Sequence, residues 1–324
     1  MVMPSGPTEM RGGRGRGVSN GSKPSTTTLQ MIEIGTTGNA VDFGDMFDGG
    51  YGAGAAGNST IGVSAGGYSL QNSMGFFIFS SGGGQNDFGD LSANQWLPFG
   101  VSNNIRGVFG GAYYAVDYSA PFNVNGFSDF IQFASKGVAS NFGVRVPTYA
   151  SAAVNSSTRG IYAGGVQRYP GTSGGGSSLY DNQDAVTYMR KIEMATLGEE
   201  EHFGELSFDG GYTMGVSSST RGCIGGRGGN RHSSSQVNTI EFVTIATQGD
   251  STDFGDLTDA RGAGAACSSK VRGVFMGGNN PSGSTNIIDF ITIATTGNAT
   301  DFGDLLSVEK WFNGCSDVHG GLGD

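Results

Sequence analysis

Residues 287–305 of this 324-residue chain read IIDFITIATTGNATDFGDL. The first seven residues, Ile287 to Ile293, are mostly β-branched or aromatic, which is typical of a β-strand. The Thr-Thr-Gly-Asn sequence that follows predicts a turn, and the tetrad Phe302-Gly303-Asp304-Leu305 predicts a second, short strand. This stretch decides the fold because close relatives of it recur along the chain.

The tetrad, or a near relative of it, occurs six times. Its phenylalanines are Phe43, Phe88, Phe142, Phe203, Phe254 and Phe302. Successive phenylalanines are 45, 54, 61, 51 and 48 residues apart, which is close to the length of a propeller blade and too long for a leucine-rich repeat. The repeats therefore predict six supersecondary units of one kind.

Two further segments follow the tetrads. One is a strand of small residues, such as 261–267, and the other is an Arg-Gly-apolar strand that begins at Arg106, Arg159, Arg221 or Arg272 and closes on small residues, usually glycines. Small side chains suit a strand that is crowded around a central axis, and four short strands per unit indicate a propeller blade. We predict an all-β, six-bladed β-propeller over residues 29–324, with four antiparallel strands per blade and a ring closed by pairing near the termini.

Composition supports a folded chain and excludes several classes of protein. Sixty glycines and eight prolines would indicate disorder in a polar chain, but 36% of the residues are hydrophobic. The net charge of −10 disfavours general nucleic-acid binding. The longest compact apolar run, Phe76–Phe79, is too short to cross a membrane. Cys223, Cys267 and Cys315 lack the spacing of a metal or disulfide site, so we expect buried small side chains, no metal and no cofactor.

The two ends of the chain each resemble part of a repeat. Residues 1–28 are basic and glycine-rich, and they predict either an arm or a closing strand, because Arg11–Arg16 is similar to the Arg-Gly strand. Residues 311–324 resemble a degraded copy of the last two strands of a unit. One of these segments is expected to complete the last blade, and the sequence leaves open which.

Residues that recur with the repeat are expected to be structural, and those that differ between copies are expected to carry function. The tetrad acids are expected either to accept backbone hydrogen bonds at a turn or to pair with the repeated arginines. Because most acids recur, we expect no enzyme, although two carboxylates from different blades keep glycoside hydrolysis open as a third hypothesis.

The copies differ most in two long loops. Loop Ala112–Gly126 carries Tyr113, Tyr114, Asp117, Tyr118 and Phe122, and loop Val166–Ala185 carries Tyr169, Tyr180 and Asp181. Aromatic rings beside carboxylates suit sugar binding and protein contacts equally, and ordinary loop padding is a third interpretation. A second candidate set lies at the start of the inner strands, where the aromatic residues either ring the mouth of the channel or pack between blades: Tyr51, Trp96, Tyr149, Tyr212 and Trp311.

The order of Arg-Gly strand, apolar strand, aromatic turn and Gly-Ala-Gly is similar to kelch-type repeats. More specifically, residues 291–305 resemble a glycine-rich repeat of virion structural and tail-associated proteins of tailed phages, notably cyanophages and other marine phages. The resemblance extends from about residue 29 to the end and is strongest in the last two units. It implies a location in the virion and, as partners, other virion proteins or further copies of the chain.

Two functional hypotheses follow. The first is a non-enzymatic virion structural protein of the tail, baseplate, collar or capsid, which presents loops from a rigid propeller to a virion partner. The alternative is a receptor- or glycan-binding module of a tail fibre that recognises host surface polysaccharide.

Overall fold

A computed structural model describes residues 15–23, 27–48, 50–68, 71–111, 126–144, 148–168, 183–228 and 236–322. These residues form β-strands and one 3-10 turn, Gly320–Leu322, and they contain no α-helix. Within this part of the chain there is no helix with the length and apolar character needed to span a bilayer. Six of the sheets have four antiparallel strands each. The prediction of an all-β, six-bladed propeller is confirmed.

Each blade is an antiparallel meander that runs from the axis outward. Blade 1 contains β27 (Gly314–Ser316), β1 (Arg16–Ser19), β2 (Thr28–Glu33) and β3 (Val41–Asp45). Blade 2 contains β4 (Gly54–Gly57), β5 (Ile61–Ala65), β6 (Ser73–Ile78) and β7 (Asn86–Asp90). Blade 3 contains β8 (Phe99–Ser102), β9 (Arg106–Gly110), β10 (Phe127–Gln132) and β11 (Ser135–Val144).

The other three blades repeat this order. Blade 4 contains β13 (Ala152–Asn155), β14 (Arg159–Ala163), β17 (Tyr188–Glu193) and β18 (Glu201–Glu205). Blade 5 contains β19 (Met214–Ser217), β20 (Arg221–Arg227), β21 (Val237–Thr244) and β22 (Thr252–Asp256). Blade 6 contains β23 (Ala265–Ser268), β24 (Arg272–Asn280), β25 (Gly283–Thr292) and β26 (Thr300–Glu309). A small separate sheet contains β12 (Thr148–Tyr149), β15 (Val166–Arg168) and β16 (Gln183–Ala185).

The innermost strands surround a central axis and require small residues. They contact one another in a closed cycle, from β27 through β4, β8, β13, β19 and β23 back to β27. A Cβ atom added at Gly100 would lie 2.0 Å from the carbonyl oxygen of Ala55 in the preceding blade, and one at Gly215 would lie 2.3 Å from that of Ala153. Side chains larger than hydrogen at these points would therefore push neighbouring blades apart.

Blade 1 is built from both ends of the chain. β27 pairs with β1 through Gly17↔Ser316, Val18↔Cys315 and Ser19↔Gly314, which confirms that the ring closes by pairing near the termini. The C-terminal segment supplies the inner strand, and the N-terminal segment supplies the other three. Both terminal segments therefore take part in closure. Residues 311–322 supply only one of the two strands that they resemble, because β1 fills the place of the other, and residues 317–322 continue into the end of the channel.

In blade 1 no covalent turn joins the inner strand β27 to β1, and Asp317 makes the hydrogen bonds that such a turn makes in other blades. In intact blade 6, Ser269 Oγ accepts hydrogen bonds from the N–H groups two and three residues further on, at 3.2 and 2.9 Å. In blade 1, Asp317 Oδ1 accepts the corresponding N–H groups of Gly15 and Arg16, at 3.1 and 2.8 Å. The turn geometry is thus kept across two chain ends that are not covalently joined.

Five arginines link neighbouring blades. Each begins the second strand of its blade, and its guanidinium donates to a carbonyl oxygen directly after the third strand of the next blade. The donor and acceptor residues are Arg16 and Phe79, Arg106 and Met194, Arg159 and Ile245, Arg221 and Ile293, and Arg272 and Ile34, with N···O distances of 2.8–2.9 Å for the last four pairs.

These linkages do not involve the tetrad acids, and neither of the two expectations for those acids describes Asp45. None of the ion pairs between described residues joins one of these arginines to a tetrad acid. The tetrad acid Asp45 accepts the hydroxyl of Thr27 at 2.9 Å instead. Blade 2 departs from the pattern, because Ile61 begins its second strand.

The tetrads lie on the outermost strands and pack blade against blade. All six phenylalanines are at most 6% exposed, and each belongs to a core shared with the next blade, as Phe302 does with Ile32 and Ile34. The tetrad glycine is required because a turn of the next blade passes directly over it. A Cβ atom at Gly143 would lie 1.9 Å from the carbonyl oxygen of Gly198.

Candidate binding face and central channel

The connections that differ between blades emerge at one end of the ring. In an antiparallel meander, the connection between the second and third strands lies at the end where the inner strand begins. The long connections of blades 3, 4 and 5, within residues 111–127, 166–185 and 228–236, are all of this type. We call this end the loop face.

The predicted loop residues lie outside the described residues. They are Tyr113, Tyr114, Asp117, Tyr118, Phe122, Tyr169, Tyr180 and Asp181. At the base of the blade 4 loop, β15 pairs with β16 and with β12, through Val166↔Ala185 and Tyr149↔Val166. This three-stranded sheet was not predicted, because strands of two or three residues have no recognisable periodicity.

A ring of six backbone hydrogen bonds surrounds the axis at the loop face. A residue two or three positions before each inner strand donates its N–H to the carbonyl oxygen of the equivalent residue in the preceding blade. The donor–acceptor pairs are Gly52–Trp311 (2.7 Å), Leu97–Gly52 (2.8 Å), Ala150–Leu97 (3.3 Å), Tyr212–Ala150 (2.8 Å), Ala263–Tyr212 (2.7 Å) and Trp311–Ala263 (2.6 Å). We call these six residues the axial ring.

The axial ring depends on a left-handed backbone. All six residues have φ between 54° and 75°, and five of them are not glycine. The residue types are Gly, Leu, Ala, Tyr, Ala and Trp, so the sequence contains no signal for this ring. The left-handed conformation turns each N–H and carbonyl towards the neighbouring blades, at a cost of roughly 1–2 kcal/mol for each L-residue.

The sequence predicts five aromatic residues at similar positions at the start of the inner strands, and the axial ring shows that these positions are not equivalent. Tyr212 and Trp311 belong to the ring itself, whereas Tyr51, Trp96 and Tyr149 lie one residue before it. The five side chains therefore occupy two kinds of position rather than one. Tyr51 and Tyr149 are 7% and 4% exposed.

An aromatic and cationic cluster lies on the loop face beside the axial ring. It consists of Lys23, Tyr51, Tyr68, Trp96, Lys310 and Trp311, and we call it the axial aromatic cluster. The rings of Tyr51 and Tyr68 stack at a centroid distance of 4.4 Å, and the ring of Trp96 stands edge-on to Tyr68 at 5.6 Å. Lys23 Nζ lies 4.7 Å and Lys310 Nζ 5.4 Å from the centre of the Trp311 ring.

The channel interior is lined by small side chains that join inner strands. Ser102 Oγ donates to the carbonyl oxygen of Gly57 at 2.8 Å, and Ser268 Oγ donates to that of Ser217 at 2.9 Å. The cavity between the strands has a volume of about 50 Å³. That volume suffices for a few water molecules and is too small for a sugar ring.

The C-terminal segment closes the far end of the channel. His319 Nε2 lies 2.8 Å from the carbonyl oxygen of Gly57, and His319 Nδ1 accepts the N–H of Gly321 at 3.1 Å. Asn104 Nδ2 donates to the carbonyl oxygen of Leu322. We call residues 317–322 the plug. Burial lowers the pKa of His319 to about 4, which keeps the imidazole neutral at neutral pH.

The contact between His319 and Ser102 does not form a catalytic pair. Their Nε2 and Oγ atoms are 3.3 Å apart, which is within reach of a nucleophile and its base. However, Nδ1 accepts a backbone N–H, so the proton lies on Nε2, where it is donated to Gly57. The imidazole therefore has no free lone pair for the proton of Ser102.

The cysteines and the metal-ligating residue types form no further site among the described residues. Among the described residues, no group of three or more His, Cys, Asp or Glu side chains is arranged to hold a metal ion. All three cysteines are buried and unpaired, and burial raises the pKa of Cys223 and of Cys267 to about 12. These thiols are therefore protonated at neutral pH and unreactive.

Searches of protein-family models and of curated proteins find no match to this chain.

Proposed function

We propose that this protein is a non-enzymatic structural component of a tailed-phage virion, a kelch-like propeller that presents the loops of one face to another virion protein or to a further copy of itself. The observation that carries the display mechanism is that the three long, non-recurring connections all emerge at the loop face of a closed ring. The location in the virion is inferred from the resemblance of residues 291–305 to repeats of phage virion proteins.

A rigid ring suits such a role. Recurring side chains are used in contacts between blades, as the arginine linkages and the tetrad contacts illustrate. A rigid frame fixes the positions at which these loops begin and end, and preorganisation of this kind favours affinity. The channel is too narrow for a sugar ring, and the neutral imidazole of His319 keeps its proton on Nε2. Both features favour a binding role over catalysis.

Replacing the blade 3 loop tests this proposal. Residues 112–125 are exchanged for the short Asn280–Gly283 hairpin of blade 6, which is the equivalent connection in the same repeat. We expect an unchanged melting temperature and loss of the protein from assembled particles, measured by mass spectrometry of purified virions. A matched control places Val138→Ser and Leu197→Ser on the opposite face, where both side chains are exposed. Equal incorporation of the loop variant and the control would reject the proposal.

The second candidate is a glycan-binding module of a tail fibre, and the axial aromatic cluster favours it. Partly exposed tryptophan and tyrosine rings beside polar groups provide the stacking surface and the hydrogen bonds that sugars need. A glycan array with the purified protein tests this candidate. Under it we expect specific binding that is lost when Tyr113, Tyr114 and Tyr169 are replaced by alanine. A blank array leaves the structural role as the better proposal.

A further inference from the structure

The two lysines of the axial aromatic cluster form an unusual pair in the fold. Lys23 and Lys310 face each other in an antiparallel bridge, with backbone N–H to carbonyl distances of 2.9 and 3.3 Å in the two directions. Directly opposed residues of such a pair project their side chains to the same side, and like charges at this position destabilise the pairing. A purely structural bridge would avoid this arrangement.

Comparison of the blades shows that the fold does not need lysine at this bridge. The equivalent backbone bridge joins Gly211 to Gly228 in blade 5 and Gly262 to Asn279 in blade 6. In blade 2, Tyr68 donates its N–H to the carbonyl oxygen of Tyr51 at 2.8 Å. The bridge thus forms with glycine on both sides. The paired lysines of blade 1 and the paired tyrosines of blade 2 are specific to adjacent blades at one part of the loop face.

Neither lysine of the cluster makes an ion pair at contact distance in the described part of the protein. Lys310 Nζ donates to Asn279 Oδ1 at 2.9 Å, which fixes the direction of its side chain without cancelling its charge. In a chain with a net charge of −10, two of the five lysines and both tryptophans lie in this cluster.

We propose that the axial aromatic cluster binds a carboxylate-bearing sugar residue of an acidic polysaccharide. The two ammonium groups provide donors and positive charge for one carboxylate, and the rings of Trp96, Trp311 and Tyr68 provide a surface for the apolar face of the sugar. The side chain of Tyr68 is 40% exposed, and both tryptophans are partly exposed. This inference rests on the second candidate of the proposed function and names its ligand class and its residues.

The small number of cations in the cluster favours an acidic sugar residue over a nucleic acid. Single-stranded nucleic acids also stack on aromatic side chains, but their affinity depends on many phosphate contacts along a positive groove. The cluster offers two cations in a strongly acidic protein. The two ammonium groups match the single carboxylate of one sugar residue better than they match a chain of phosphates.

A fluorescence titration tests the proposal, because both tryptophans of the chain lie in the cluster. The full-length protein is titrated with oligogalacturonate, with its methyl-esterified form, and with oligo-dT. We expect oligogalacturonate to bind at least tenfold more tightly than the neutral ester. The variant K23Q/K310Q is expected to lose at least tenfold in affinity for oligogalacturonate, and K23R/K310R to retain binding.

The matched control is K136Q/K270Q, which removes the same charge at the opposite face, where Lys136 lies near the start of β11 and over the ring of Phe76, and Lys270 lies between β23 and β24. It is expected to bind oligogalacturonate like the unmodified protein. Equal binding of the ester, or equal losses in the two glutamine variants, would overturn this inference and leave glycan recognition standing. Absence of binding to every glycan would reject both the inference and the glycan-binding candidate. Tighter, lysine-dependent binding of oligo-dT would reassign the cluster to nucleic acid and overturn the proposal.

Discussion

His319 Nε2 donates its proton to the carbonyl oxygen of Gly57 at 2.8 Å, and this hydrogen bond joins the C-terminal plug to the inner strand of blade 2. The plug also packs closely on other inner strands, since a Cβ atom at Gly321 would lie 2.2 Å from the carbonyl oxygen of Ser102. The plug therefore has two buried titratable side chains: Asp317, which accepts N–H groups of Gly15 and Arg16, and His319, which binds the inner strand of blade 2.

We predict that the plug is released in acid. Burial lowers the pKa of His319 from 6.5 to about 4, so the undocked form binds more protons than the docked form between these two pH values. Docking is therefore fully stable above about pH 6.5 and weakens as the pH falls towards 4, by about 3 kcal/mol in total at 1.36 kcal/mol per pKa unit. Hydrogen exchange of residues 317–322 at pH 7 and pH 5 measures this change.

The control for this prediction is His319→Gln, whose amide can donate to Gly57 and does not titrate. Carboxylates also protonate in acid, so the informative quantity is the difference between the two proteins. A decrease in protection of the same size in the variant would show that His319 is not the sensor.

We predict that the arginine linkages stabilise the ring. Arg221 donates to the carbonyl oxygen of Ile293 at 2.9 Å, and its guanidinium lies 4.3 Å from the centre of the Phe242 ring. Arg221→Met removes a charged hydrogen bond and is expected to lower the free energy of unfolding by about 1.5–3 kcal/mol. Denaturant titration followed by circular dichroism measures the loss.

Blade 2 supplies the matched control for the arginine prediction. Ile61 occupies the position of the linking arginine, so Ile61→Met changes an apolar side chain where no linkage exists. This substitution should cost less than about 1.5 kcal/mol. If both variants lose the same stability, the hydrogen bond between blades contributes nothing beyond packing.

We predict opposite tolerances for the two glycines of one blade contact. A Cβ atom at Gly143 would lie 1.9 Å from the carbonyl oxygen of Gly198, whereas one at Gly198 would meet nothing within 4 Å. Gly143→Ala is therefore expected to lower the free energy of unfolding by about 1–3 kcal/mol, which is the usual cost of overpacking. Gly198→Ala should change it by less than about 0.5 kcal/mol. Thermal unfolding of both proteins distinguishes this contact from a general sensitivity of the turn.

The repeat predicted the fold because the contacts between blades use side chains that recur. Phe302 packs into the core of the next blade, and its equivalents do the same in every copy. A contact that is repeated six times leaves six copies of the same residue in the sequence. The number of blades, their strand order and the closure near the termini were therefore predictable.

The axial ring and the plug left no such signal. The axial ring uses backbone groups, so its six positions hold unrelated side chains, and the plug occurs once. Lys23 and Lys310 are near opposite ends of the chain and become neighbours only because blade 1 is built from both termini. Features that depend on ring closure could not be found before the closing strand was known. The loop tyrosines remain a prediction, since they lie outside the described residues.

The axial ring gives a prediction that reverses the usual effect of glycine. Ala263 has a φ of 60°, a conformation that disfavours L-residues by roughly 1–2 kcal/mol. Ala263→Gly removes this strain and is expected to raise the free energy of unfolding by about 1 kcal/mol.

Two residues further on, Ala265 lies in strand β23 and is fully buried. Ala265→Gly is expected to lower the free energy of unfolding by about 1 kcal/mol or more. Glycine loses more backbone entropy on folding, and the substitution removes the methyl group of Ala265 from the core. Guanidinium titrations of the two variants measure both signs. A loss of equal size in both would mean that the left-handed residues of the axial ring carry no strain, and that their six hydrogen bonds fix the conformation without cost.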